Sequence, residues 1–141
     1  MNRKPILLVE DNSGDEELAL LAFQVNKVPN PVVVARDGQE AIDYLFDQGK
    51  ELPAFILLDL KIPKINGLEV LKRVRADART KLIPVIVLTS STHDADLRAS
   101  YGLGGNSYLI KSIGFDKFTR EIGALANYWL QVNTSPPTGV E

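Results

Sequence analysis

The chain has 141 residues, 45% hydrophobic and 24% charged, which suits one globular domain with a full core. Its formal net charge of −2 leaves no electrostatic footprint for nucleic acid, and the absence of cysteine excludes disulfides and thiolate chemistry. Met1 to Pro5 leads directly into a short apolar strand, with no signal peptide or membrane span, so the chain reads as a soluble cytoplasmic protein that engages no membrane.

Strand and helix patterns then alternate along the chain. The apolar run Ile6-Leu7-Leu8-Val9 ends in Glu10-Asp11. A helix starts near Ser13, with Glu16 completing a capping box, and carries Leu18, Leu21, Ala22 and Val25 at helical spacing. Val32 to Ala35 forms the second strand, and Asp37 with Glu40 caps a helix through Ala41, Leu45 and Phe46 that ends near Gly49. The run Ala54 to Leu58 ends in Asp59, then turns through Leu60 to Gly67 into a third helix, with Asn66 and Glu69 at its start and Val70, Leu71 and Val74 on its apolar face. Val85 to Leu88 ends in Thr89-Ser90-Ser91, and a fourth helix follows from about Asp94 to Tyr101, stopped by Gly102-Leu103-Gly104-Gly105. Tyr108 to Ile110 ends in Lys111. The fifth helix runs from about Phe115 to Leu130, with Phe115, Phe118, Ile122, Leu125 and Trp129 at core spacing. Residues 1–132 thus read as one domain and 133–141, with Pro136-Pro137, as a disordered tail.

Alternating strands and helices imply a parallel sheet with right-handed crossovers and helices on both faces. In such sheets ligands bind outside the C-terminal ends of the strands, where this chain would gather Glu10, Asp11, Asp59, Thr89 and Lys111. Three acids packed together raise one another's proton affinity, so keeping them ionised takes a bound cation, a nearby Lys, or both. An all-oxygen set without His or Cys favours a hard ion such as Mg²⁺, which keeps several waters and accepts a phosphate.

Four segments at strand ends, Val9-Glu10-Asp11-Asn12, Leu58-Asp59-Leu60-Lys61-Ile62-Pro63 with Gly67 following, Leu88-Thr89-Ser90 and Tyr108-Leu109-Ile110-Lys111, resemble the receiver domain of two-component response regulators. The resemblance covers essentially the whole chain. It implies an α/β, flavodoxin-like (CheY-like) fold with a five-stranded parallel sheet in the order 2-1-3-4-5. It also implies that Asp59 is the phosphoacceptor, attacking the phosphoryl group of a kinase phosphohistidine in line. Asp11 would then bind Mg²⁺ directly, Glu10 largely through its waters, and the backbone carbonyl of Lys61 would add a ligand. Thr89 is expected to bond a phosphoryl oxygen, and Lys111 to pair with the phosphoryl group or, before transfer, with Asp59. By the same resemblance, movement of Thr89 lets Tyr108 turn inward, coupling the site to the face made by helix four, strand five and helix five. Lys61 and Ser91 occupy positions that shape water access and hence phosphoryl lifetime. The implied chemistry is self-phosphorylation and self-dephosphorylation, without catalysis on a separate substrate.

The family usually follows its Lys with a cis-bonded Pro, whereas this chain has Lys111-Ser112. A cis bond before Ser costs about 3 to 4 kcal/mol, so a trans bond is expected, or a strained cis bond held by the fold. That pair, the Gln48 to Pro53 extension and the terminal Tyr128-Trp129-Leu130 resemble the small single-domain regulators paired with cyanobacterial and bacterial phytochromes. This finer resemblance implies a phytochrome as the sensor histidine kinase and a homodimer through helices four and five; a downstream phosphorelay protein is a further expected partner. Tyr128, beside Trp129, must face away from the core, and with Tyr101 it marks either a partner patch or the core rim. The single His, His93, reads as a helix-start or surface residue, so the phosphodonor is another protein or a small phosphate compound. Roughly ten residues follow the fifth helix, too few for an output module, so output is expected through a surface. Lys72, Arg73, Arg75, Arg79 and Lys81 read as a solvated basic face.

Three other classes compete. A receiver-like module working without phosphorylation should have lost one of the five site residues, and none is missing. A Mg²⁺-dependent phosphatase usually places a second Asp two residues after its nucleophile, where Lys61 stands, and carries an inserted cap. A flavin-binding relative of the fold would not open its phosphate loop with Glu10 and Asp11, which repel a phosphate.

Overall fold

The computed structural model describes residues 3–111 and 114–137. Five parallel strands, β1 (Ile6–Val9), β2 (Val32–Ala35), β3 (Phe55–Leu58), β4 (Val85–Thr89) and β5 (Ser107–Ile110), form one sheet in the order β2-β1-β3-β4-β5. Helices α1 (Ser13–Val25), α2 (Gly38–Leu45), α3 (Gly67–Ala76), α4 (Asp94–Gly102) and α5 (Phe115–Asn127) connect and follow them, and a wider turn, Tyr128–Val132, extends the last helix. The Lys111-Ser112 peptide and residues 138–141 of the tail lie outside the described residues. No helix among the described residues is long and apolar enough to cross a membrane.

Side chains alternate across each strand, so one sheet generates two cores. Ile6, Leu8, Phe55, Leu57, Ile86 and Leu88 pack against α1 and α5, while Leu7, Val9, Ile56, Leu58 and Val85 pack against α2 and α3. β1 and β3, covered on both faces, are buried throughout, as continuous apolar runs require. The edge strands β2 and β5 are only partly buried.

Local chemistry fixes the helix starts. The Asp37 and Asn66 side chains accept the amides of Glu40 at 2.7 Å and Glu69 at 3.0 Å, capping α2 and α3 as their sequences suggest. At α1 the cap is Asn12, one residue earlier than Ser13, and its side chain accepts the Asp15 amide at 2.9 Å. Glu16 pairs instead with Arg36 at 3.0 Å. α2 stops at Leu45, short of Gly49, because Asp47 turns the chain by accepting the Gly49 amide at 2.8 Å.

The buried stripe of α1 also differs from the expected one. Ala19, Ala22 and Phe23 are buried, whereas Leu18, Leu21 and Val25 are 44%, 44% and 53% exposed. The cause is a close crossing: Asn26 bridges the carbonyls of Ala22 at 2.8 Å and Thr119 at 3.0 Å, and a Cβ on Gly123 would collide with it, so small residues fill the α1–α5 contact. On α5 the buried set is Phe118, Ile122, Ala126 and, in the wider turn, Leu130; Phe115 is 38% exposed, and Leu125 and Trp129 only flank the core.

Two cations expected on a solvated face are structural clasps. The Arg75 guanidinium donates to the carbonyls of Gly104, Lys81 and Ile83 and to Asn106 Oδ1, at 2.7 to 3.1 Å. Arg79 donates to the Leu45 carbonyl at 2.7 Å.

Gly67, at the start of α3, lies against the backbone that carries Asp59. A Cβ there would collide with the Asp59 carbonyl oxygen and stand 2.6 Å from Leu60 Cα. Neither atom can swing aside, so Gly67→Ala is expected to cost about 3 kcal/mol in urea unfolding, the upper range for overpacking. An unchanged midpoint would contradict this.

Candidate functional site

The chain leaves β1 toward β2 on one side and reaches β3 on the other, so a crevice opens outside the ends of β1 and β3. Ladder hydrogen bonds continue one residue past the strands and fix the backbone of each mouth residue. The amide of Glu10 donates to the Ala35 carbonyl at 2.9 Å, that of Asp59 to Val9 at 3.1 Å, and that of Lys111 to Thr89 at 2.8 Å. Position is thereby set by the sheet, not by loops.

Glu10, Asp11 and Asp59 each bring a carboxylate oxygen within 4.8 Å of the others. Glu10 and Asp59 are buried, at 2% and 6% exposure, while Asp11 faces solvent. Lys111 reaches into this group with all three ammonium donors engaged: Glu10 Oε1 at 2.8 Å, Asp15 Oδ2 at 2.8 Å and Asp59 Oδ2 at 3.0 Å. The other Asp59 oxygen, Oδ1, accepts the amide of Lys61 at 3.2 Å. Both oxygens of this carboxylate are therefore held, and its plane is fixed.

Burial pushes the Glu10 carboxyl up from its ordinary 4.5 to about 7; the Lys111 hydrogen bond opposes the rise and the Asp59 charge adds to it. Burial alone would pull the Lys111 ammonium down, but its bonds to Asp15 and Glu10 and the Asp59 charge outweigh that, leaving it above its ordinary 10.5. Lys111 thus stays charged while Glu10 sits at the edge of ionisation.

The donor set suits a hard divalent cation: three carboxylates, no nitrogen or sulfur ligand, and a surplus of negative charge that one ammonium does not cancel. Binding would displace the Glu10 proton. Mg²⁺ affinity is accordingly expected to be about tenfold weaker near pH 6 than near pH 8, with a plateau above, by titration calorimetry. A flat profile would contradict it. In the ion-free protein the sign is that of a raised acid: the stability linked to Glu10 is complete below 4.5 and lost as pH rises through about 7.

Thr89 and Tyr108 sit one layer away. Thr89, fully buried at the end of β4, accepts the Ser91 amide at 3.4 Å, and the Tyr108 hydroxyl donates to the Ser91 carbonyl at 3.0 Å. The Ser91 hydroxyl in turn donates to Asp96 on α4 at 2.5 Å. Ser91 therefore joins β4, β5 and α4. His93 is exposed and stands as the N-cap residue of α4 without a side-chain cap bond. Asp15 was not legible as a site residue; the one available signal is its place in the first turn of the helix that follows Glu10-Asp11.

The model of the response regulator receiver domain matches residues 6–123. The chain is 43% identical over 134 residues to the probable methanogenesis regulatory protein FilR2 of Methanothrix harundinacea, covering 93% of this chain and 86% of that protein. It is 36% identical over 137 residues to response regulator Rcp1 of Synechocystis, covering 94% and 93%. The Mn²⁺-bound crystal structure of Rcp1 matches with a TM-score of 0.88 over 95% of this chain and 99% of that one. The phosphorylated cyanobacterial phytochrome response regulator RcpA matches with a TM-score of 0.90 at 38% identity, over 96% and 100%. With the 2-1-3-4-5 sheet and the acid-lined mouth already in place, these matches make the chain a member of the response regulator receiver family, similar to the phytochrome response regulators.

Proposed function

We propose that the protein accepts a phosphoryl group on Asp59 from a sensor histidine kinase, in a Mg²⁺-dependent reaction, and signals through a surface that responds to phosphorylation. The observation that carries this is the held Asp59 carboxylate, fixed by Lys61 and Lys111 beside two further acids. Glu10, Asp11, Asp59 and the backbone carbonyl of Lys61 would hold the Mg²⁺. When bound, that ion neutralises charge on the transferring group. An Asp59 oxygen forms the new P–O bond as the P–N bond to the kinase histidine breaks, leaving the imidazole with the electron pair. Lys111 keeps one donor within reach of the phosphoryl oxygens, and the Thr89 hydroxyl donates to another. No residue need act as a base, because an ionised carboxylate attacks directly.

Output follows from the Ser91 junction. A Thr89 hydroxyl drawn to the phosphoryl group pulls on the loop that Tyr108 grips, and so on α4 and β5. This face carries exposed Tyr101, Ile110 and Tyr128 beside an open groove of about 520 Å³ lined by Leu109, Leu125 and Trp129, which suits a homodimer through α4 and α5. Dimer mass is expected in gel filtration at micromolar concentration with beryllofluoride; monomer alone, with or without it, would contradict the dimer.

The likeness to the phytochrome response regulator RcpA supports a phytochrome as the kinase partner. The FilR2 likeness favours a second reading, in which the kinase senses something other than light. Beryllofluoride, a phosphoryl mimic, tests the site itself. One equivalent is expected to bind with Mg²⁺ and none with EDTA; binding indifferent to the metal would contradict the proposal.

A further inference from the structure

Lys111 has three carboxylate partners, and they are not equivalent. Glu10 and Asp59 belong to the group of acids fit for a divalent ion, and Asp15 does not. An ion held by that group would draw on the charge of Glu10 and Asp59, and Asp15 would be the one carboxylate partner of Lys111 outside its ligand set.

Asp15 is also free to serve. Its own amide is taken by the Asn12 cap at 2.9 Å, so α1 starts without help from the Asp15 carboxylate. That carboxylate is partly exposed at 39% and lies 2.8 Å from Lys111 Nζ, across 96 residues of sequence. The contact ties the first turn of α1 to the end of β5, where Lys111 otherwise ends on a flexible four-carbon stem.

We propose that Asp15 is the positioning residue for Lys111: it holds the ammonium at the mouth of the site when Glu10 and Asp59 are engaged by a divalent ion, so that the ammonium meets the incoming phosphoryl group already placed. The inference rests on the receiver reading, and its test separates the two.

The ¹H–¹⁵N signal of the Lys111 ammonium reports restraint directly and requires no turnover. In Mg²⁺-loaded protein it is expected to persist in wild type and in Asp15→Glu, and to be lost in Asp15→Asn. Phosphorylation by acetyl phosphate at saturating Mg²⁺ is expected to slow about tenfold in kcat for Asp15→Asn, the scale of one charge-assisted hydrogen bond, with KM for the donor within about twofold of wild type. Asp15→Glu should restore most of the rate. A first-turn acid that merely favours the helix would lower the melting temperature and move none of these. Persistence of the ammonium signal in Asp15→Asn, or its loss from wild type on adding Mg²⁺, overturns the inference, as does an effect confined to KM. A wild type that neither takes up a phosphoryl group nor binds beryllofluoride would overturn the phosphoacceptor reading instead, and the ammonium spectra would still decide the role of Asp15.

Discussion

Asp59→Asn is expected to abolish phosphoryl uptake, from acetyl phosphate or from a kinase, while the protein stays folded. The substitution preserves shape at a site whose two oxygens are held by the Lys61 amide and the Lys111 ammonium, and the amide oxygen can keep one of these bonds. An amide oxygen is a poor nucleophile toward phosphorus, and the variant also loses one of the charges that favour a divalent ion. The same change should move Glu10. The Asp59 charge is among the causes that raise its carboxyl to about 7, so Glu10 is expected to titrate lower in the variant, as NMR of its side-chain carboxyl would show. Uptake at the wild-type level would place the acceptor elsewhere.

Lys111→Met should have the second largest effect, and on two properties. Removing a preorganised donor from the transferring group is expected to slow phosphorylation by about 100-fold or more, read by single-turnover kinetics at saturating Mg²⁺. Stability should also fall, because Glu10 and Asp59 are buried at 3% and 8% side-chain exposure and lose their shared cation. Breaking such a buried pair costs about 3 kcal/mol. The sign with pH is fixed by the two groups. Lys111 titrates above 10.5, so its contribution is complete below that value and does not vary near neutrality. Glu10 takes up its proton as pH falls through about 7, which relieves the repulsion left behind. The deficit in urea unfolding should therefore be largest near pH 8 and shrink near pH 5. Mg²⁺ should narrow it as well, by restoring positive charge. A deficit independent of both pH and Mg²⁺ would mean that Lys111 serves packing alone.

What the sequence made legible was whatever depends on burial along a strand. Ile6–Val9 and Phe55–Leu58 are apolar at every position because both faces are covered, and the acids that follow mark where cover ends. The caps at Asp37 and Asn66 were equally plain, since each acts within four residues. Features set by distant neighbours were not. The apolar residues of α1 admit two stripes at helical spacing, and the close crossing with α5 at Gly123 favours the one made of Ala19, Ala22 and Phe23. Arg75 and Arg79 look like solvated charge because their acceptors include the Gly104 and Leu45 carbonyls, which only the fold brings near. The role of Asp15 is hidden for the same reason: its partner Lys111 is 96 residues away, and beside Asn12 and Ser13 it reads as one more first-turn acid. The strand order came from motif resemblance, since periodicity carries no information about neighbours.

Intact mass after incubation with acetyl phosphate and Mg²⁺, beside an EDTA control and Asp59→Asn, tests the phosphoacceptor role most directly. One added phosphoryl group is expected in the wild type with Mg²⁺ and in neither control. An adduct that survives EDTA or the Asp59 substitution would contradict the role assigned to this carboxylate and its neighbours, as would the absence of any adduct from a wild type that also fails to bind beryllofluoride.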